Sequence, residues 1–215
     1  MEDFPLSKTL KLHALWLQSN GAEGVRLDLM GHSLRGIRTH DADLTGASLN
    51  DADLRHAEMI NTNFIGSDLR GADLRGAQLE ASDFSAARLK GARFRGAKLH
   101  KANLQHATLA FADLRDATLA EANLIEADLM CAKIRGVDMS KASLRGANLL
   151  AADLRGTILA GTDLSYANLL GASLEGATVD QDTNFYDARV NPDDFRDVNL
   201  AVLKKENLPA ALRAN

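Results

Sequence analysis

The chain has one cysteine, Cys131, in 215 residues, so no disulfide framework can form within it. A lone thiol fits a reducing compartment. Aromatic residues make up only 5% of the sequence, and alanine and leucine supply most of its apolar content. Small side chains fill a narrow core at native density, not a wide one. No apolar run approaches a membrane span, and Met1 to Leu17 mixes charges with apolar residues where a leader would need an uninterrupted apolar stretch. No charge of one sign dominates either. A formal net charge of −4 announces neither a nucleic-acid binder nor a strongly acidic mimic. These absences lead us to expect a soluble, cytoplasmic, single-domain protein.

What is present is a period of five. Leu44, Leu49, Leu54, Met59, Phe64, Leu69 and Leu74 begin a column of large apolar residues that recurs without insertion to Val179. It comprises 28 units, of which 21 are centred on leucine. Two positions before each centre stands a small residue, alanine in 22 units and Thr, Ser or Val in the others. Leu29 and Leu34 extend the frame upstream, with Thr39 as a polar break. Helical faces recur at 3.6 residues and strand faces at two, so neither explains five. A chain that turns a corner every five residues does, with the centre and its small companion pointing inward. Four such sides close a coil of 20 residues, and coils stack about 4.8 Å apart.

Units such as Ala52-Asp53-Leu54-Arg55-His56, Ala72-Asp73-Leu74-Arg75-Gly76 and Ala122-Asn123-Leu124-Ile125-Glu126 resemble the A(D/N)LXX motif of pentapeptide-repeat proteins. The resemblance implies an all-β solenoid, a right-handed quadrilateral β-helix, spanning residues 25–198. A stacked β-helix needs its ends covered. Residues 1–24 are read as a helical N-terminal cap with Trp16 lying over the first coil. His13-x-x-Trp16-Leu17 followed by Gly21, Gly24 and Arg26 is similar to the opening of many bacterial members. The frame slips by one residue around Asp180 to Asp182, resumes at Thr183-Asn184-Phe185, and breaks at Asn191-Pro192. Residues 199–215 read as a helical cap or a dimer contact, because the C-terminal end dimerises in several family members.

The pattern contains no catalytic constellation. His40 and His100 share a column three coils apart, roughly 14 Å, too far to share a metal. Cys131 has no histidine and carboxylate placed for nucleophilic catalysis. Gly71, Gly76, Gly91 and Gly96 are turn positions rather than a phosphate loop, and the Asp and Asn residues before the centres serve turns. We therefore expect no enzyme, no cofactor and no metal site.

Function must then lie on the outward positions, and residues 20 apart share a side. One side carries Arg35, Arg55, Arg75, Arg95, Arg115, Arg135 and Arg155, with Glu175 ending the run. The residues before the same centres are Asp53, Asp73, Arg93, Asp113, Lys133 and Asp153, so the wall is net positive. It reads either as a solvated Asp–Arg ladder or as a wall for an acidic partner, densest around Arg93, Arg95, Arg115, Lys133 and Arg135. A second column is apolar: Ala110, Met130, Leu150 and Leu170, with Phe111 and Cys131 at the adjoining corner and Ile125 on the preceding side. A contiguous apolar stripe implies either a contact surface or a seat for the C-terminal segment. The leading expectation is an interaction module or scaffold with a protein partner, or a homodimer through the C-terminal end or the stripe. Membrane binding is not expected, and nucleic-acid binding is disfavoured. Two alternatives come from other roles of such rods: a DNA-mimicking gyrase-binding protein of the quinolone-resistance type, and a bacterial effector that uses the rod for targeting.

Overall fold

The computed structural model describes residues 6–195 and 197–212. The ends of the expected caps, residues 1–5 and 213–215, lie outside the described residues.

From Asp28 onward the chain winds as a right-handed four-sided coil. Parallel bridges join each residue before a centre to its equivalent one coil later, as in Asp53↔Asp73, Asp73↔Arg93 and Arg93↔Asp113. The unit Ala52–His56 shows why the sequence folds this way, because each of its five N–H groups has an acceptor. Ala52 donates to Leu49 O (3.1 Å) and closes the previous corner, while Asp53 donates back one coil to His32 O (2.9 Å). Leu54 and His56 donate forward to Asp73 O (2.8 Å) and Arg75 O (3.0 Å). The fifth, Arg55 N–H, donates to the Asp53 side chain (3.2 Å). The Asp or Asn before the centre thus supplies the one acceptor that the backbone ladder lacks.

Each corner is a four-residue turn whose third residue has positive φ, for example +57° at His56 and +68° at Gly76, the type II pattern. Glycine, Asn and Asp take that conformation readily, whereas other residues are strained by about 1–2 kcal/mol. Inside, the centres and their alanines are fully buried, Leu54 and Ala57 among them. Phe64 and Phe84 stack across adjacent coils at 4.5 Å and 4°. Where a hydroxyl replaces the inward alanine it donates to a buried carbonyl: Thr62 to Thr39 O (2.8 Å), Ser82 to Met59 O (2.7 Å) and Thr162 to Met139 O (2.8 Å). Burial of these polar atoms therefore carries no unpaired-donor penalty.

The N-terminal end is covered by α1 (Leu6–Gln18). Leu10 packs on the core, His13 is fully buried, and Trp16 reaches the corner at Gly46. The His13 and Trp16 rings stack at 5.6 Å and 10°. His13 Nδ1 accepts the N–H of Leu27 (3.1 Å), which fastens the helix to the first coil. Gly24, at φ +76°, lets the chain pass so close that a Cβ would press on Leu12 O and lie 2.6 Å from Trp16 N.

The C-terminal end departs from expectation. Residues 199–212 form three short 3-10 helices, Leu200–Val202, Lys205–Asn207 and Ala210–Leu212, rather than one continuous helix. Their starts are five residues apart because the tail keeps turning corners. Val198 and Leu203 are buried, Leu208 packs on the core, and Phe185 N–H donates to Asn207 O (2.8 Å) as a centre would to the next coil. The one-residue slip is absorbed at Asp180, whose Oδ1 accepts from Gly161 N–H (2.8 Å), Asp182 N–H (3.1 Å) and Thr183 N–H (2.9 Å). Beyond it the bridges run Asp163↔Asn184 and Asn168↔Arg189, and the register of sides is kept.

Candidate interaction surface

The arginine side divides by what precedes the centre. Where that residue is Asp, the guanidinium folds back onto it bidentately. Arg55 donates to Asp53 at 2.7 and 2.6 Å, and Arg75 to Asp73 at 2.8 and 2.6 Å. Arg115–Asp113 and Arg155–Asp153 repeat the pair. Hydrogen bonds from these arginines hold Asp53, Asp113 and Asp153 below the usual carboxylate range. At Asp73 burial opposes ionisation, but the Arg75 bonds outweigh it.

Two coils break the ladder. Arg93 lies 3.9 Å from Asp73, and Arg95 turns to Asp116 one coil on (3.0 Å). At the other, Lys133 replaces the Asp, so Arg135 loses its partner on the same turn that gains a second cation. Neither has an ion pair among the described residues. Of the eight basic-wall positions, Arg55, Arg75, Arg115 and Arg155 are neutralised locally. Lys133 and Arg135 form the open cationic doublet.

On the apolar side Leu150 is 37% exposed and Phe111 51%, with Met130, Leu170 and Cys131 half-buried. Ala110 is buried (6%): its single methyl stands in a column with the longer Lys90 and Met130 and does not reach outward. The C-terminal tail is spent on the last coil, and Leu150 stays open. The stripe therefore has two sharp borders. Past the corner at Cys131 comes the Lys133–Arg135 doublet. At the opposite corner stand Tyr166, half exposed, and Tyr186, ring edge to ring at 5.7 Å, with the Arg145 guanidinium 5.5 Å over the Tyr166 ring.

Sequence reasoning passed over the tyrosines and Arg145 because they fall on corners and on the side before the stripe. A signal was there: Tyr166 and Phe111 are the two aromatics at the turn position that needs positive φ (+61° and +63°).

Among the described residues no group of three His, Cys, Asp or Glu is placed to hold a metal ion, and no helix is long and apolar enough to cross a membrane.

Residues 40–76, 77–110, 109–146 and 142–180 match the family Pentapeptide repeats, in 8 copies. The chain belongs to the pentapeptide-repeat family. This pentapeptide-repeat protein is similar to HetL, a pentapeptide repeat protein involved in heterocyst differentiation regulation from the cyanobacterium Nostoc. The two are 30% identical over 87% of this chain and 94% of HetL, with a TM-score of 0.36. The pentapeptide repeat protein alr5209 of Nostoc is 37% identical over 44% of this chain and 84% of its own, with a TM-score of 0.41. Full-length QnrB1, a plasmid-mediated fluoroquinolone resistance protein, is 18% identical over 77% of this chain and 92% of its own, with a TM-score of 0.50, a likeness of fold. No curated protein matches this pentapeptide-repeat protein.

Proposed function

We propose that the protein is a non-catalytic interaction module that binds a protein partner through its apolar side. One observation carries this reading. Leu150 stays exposed and Met130 and Leu170 half-buried while the tail closes the end of the rod, although nothing in the repeat requires apolar residues there. The rod supplies rigidity, because its backbone donors are taken up by neighbouring coils and corners. A DNA-mimicking role would need an acidic face, and on the arginine side the carboxylates are already engaged by Arg55, Arg75, Arg115 and Arg155.

The test is affinity capture from the source cells with the native chain and with the Met130→Asp/Leu150→Asp variant. Proteins recovered with the native chain should be lost with the variant, whose unfolding transition should be nearly unchanged because both positions face outward. An identical set of partners with both proteins would refute the reading. Size-exclusion chromatography of the two proteins would reveal a second copy of the chain as the occupant instead.

A further inference from the structure

Phe111 and Tyr166 are the most telling residues of this surface. Positive φ is uncommon outside glycine, Asn and Asp, and for a bulky residue it is an outlier. Both aromatics adopt it, at +63° and +61°, and both remain about half exposed. Other corners of the same two edges carry glycine or other non-aromatic residues at the same positive φ, Gly91, Cys131, Ala151 and Gly171 beside Phe111 and Glu126, Gly146 and Asp187 beside Tyr166, so the fold does not call for a Phe or Tyr ring. Strain kept at an exposed aromatic points to use. The two rings stand on opposite edges of one side, with Met130, Leu150 and Leu170 along the Phe111 edge and the hydrogen-bonded ladder of Asp128, Asn148 and Asn168 between that column and the Tyr166 edge. Each also has a cation above it: Lys90 Nζ lies 5.8 Å from the Phe111 ring centre, and the Arg145 guanidinium 5.5 Å from that of Tyr166. Beyond the Phe111 edge lie the unpaired Lys133 and Arg135. Two carboxylates stand in the Tyr166 column: Glu126, which faces His106 (3.4 Å), and the exposed Asp187, one coil beyond Tyr166.

We infer that the apolar side receives an amphipathic α-helix with acidic residues along the flank of its apolar stripe that faces Lys133 and Arg135. The inference rests on the proposed interaction surface and specifies its occupant. Two features select a helix with this charge. The first is pitch. Coils repeat about every 4.8 Å and helix turns every 5.4 Å, so a helix lying along the side at about 27° to the rod axis keeps one turn per coil. An extended strand repeats a face at about 6.7 Å and falls out of step within two coils. The second is sign, since Lys90, Lys133 and Arg135 border the apolar column on the Phe111 edge, whereas on the other edge Arg145 stands among Glu126 and Asp187. Apolar contacts would anchor the helix, and the cationic border would set its orientation and disfavour basic helices.

The probe is an amidated peptide of about 18 residues, long enough to populate a helix, with leucine at every third or fourth position and glutamate along one flank. A lysine-flanked counterpart and a scrambled glutamate peptide serve as controls, and binding is read by fluorescence anisotropy. The glutamate peptide should bind saturably and more weakly as salt rises, and the controls should not. Phe111→Gly/Tyr166→Gly and Lys133→Glu/Arg135→Glu should each weaken binding at least about tenfold. The first variant should also unfold at higher denaturant, because glycine relieves both corners, which separates lost contacts from lost structure.

No binding of the glutamate peptide, equal binding of the lysine peptide, or unchanged affinity in either variant would overturn the inference. If the peptide fails while cellular partners are still lost with Met130→Asp/Leu150→Asp, the helix is wrong and the interaction surface stands. If neither responds, both fall.

Discussion

Acid should loosen the N-terminal cap before it disturbs the coils, and His13 is where this begins. Its ring is fully buried, and Nδ1 accepts the Leu27 N–H at 3.1 Å, so the neutral ring carries its proton on Nε2. Burial lowers its pKa from 6.5, against raising contributions from Asp43 and the Thr45 backbone and a further lowering by Arg26. As pH falls the unfolded chain takes up this proton first. The stabilisation is therefore complete above pH 6.5 and declines below it, until the folded ring is itself protonated. A proton on Nδ1 removes the bond to Leu27 and sets two donors face to face. Leaving that N–H unpaired costs about 1–3 kcal/mol, enough to free α1 from the first coil. The only tryptophan, Trp16, stacks on this ring and reports the event. Titrating from pH 8 downward should give a step in Trp16 fluorescence with its midpoint below 6.5, accompanied by faster amide exchange in α1 while the central coils stay protected. His13→Leu should abolish the step and lower stability by the same 1–3 kcal/mol. A step at or above 6.5, or an unchanged step in His13→Leu, would refute the reasoning.

Other substitutions probe other parts of the rod. Gly24→Ala should destabilise the cap by about 2–4 kcal/mol in urea unfolding, since the added carbon presses on backbone atoms at a positive φ. Asp180→Ala strips the acceptor shared by Gly161, Asp182 and Thr183 and should cost about 2–3 kcal/mol, with exchange raised mainly in residues beyond 180. Asp180 ionises below the usual range because these donors outweigh its burial, so its contribution should be full above about pH 4 and fade as the pH falls further. Lys133→Asp restores the local Asp–Arg pattern. It should leave stability equal or raised by up to about 1 kcal/mol, while Arg135 becomes bidentate in a crystal structure of the variant.

The fold was legible in the sequence because one physical requirement repeats at every corner. An inward leucine and a small neighbour must each recur for the coil to close, an Asx acceptor recurs in many of the units, and any slip would face a polar residue inward. The tail was misread for the same reason in reverse. Val198, Leu203 and Leu208 also lie five apart, but each keeps only one companion (Asp197 before Val198, Ala201 two before Leu203, Asn207 before Leu208), and leucines in a short polar segment look helical. At the surface, positions 20 apart located the arginine and apolar columns. They could not tell that Arg55 folds onto Asp53 while Arg135 stands open, since that depends on side-chain torsions. Tyr166 and Phe111 were visible as residue types. Their meaning depended on the sign of φ at the corner, which became evident only when the turn was seen.

The ladder between coils also makes the chain an indexing device. Every coil bonds only to the one before and the one after, and a side is completed every five residues. Removing 20 residues would shorten the rod by about 4.8 Å and return everything downstream to the same azimuth. Removing five upstream would turn all downstream surface by a quarter revolution, carrying Leu150 to the azimuth of Ile125 and Arg145. Gains and losses of whole coils thus change reach alone, while single units change which partners the two halves of the rod face together. The single extra residue at Asp180 does neither, because it is folded away in a bulge at the corner.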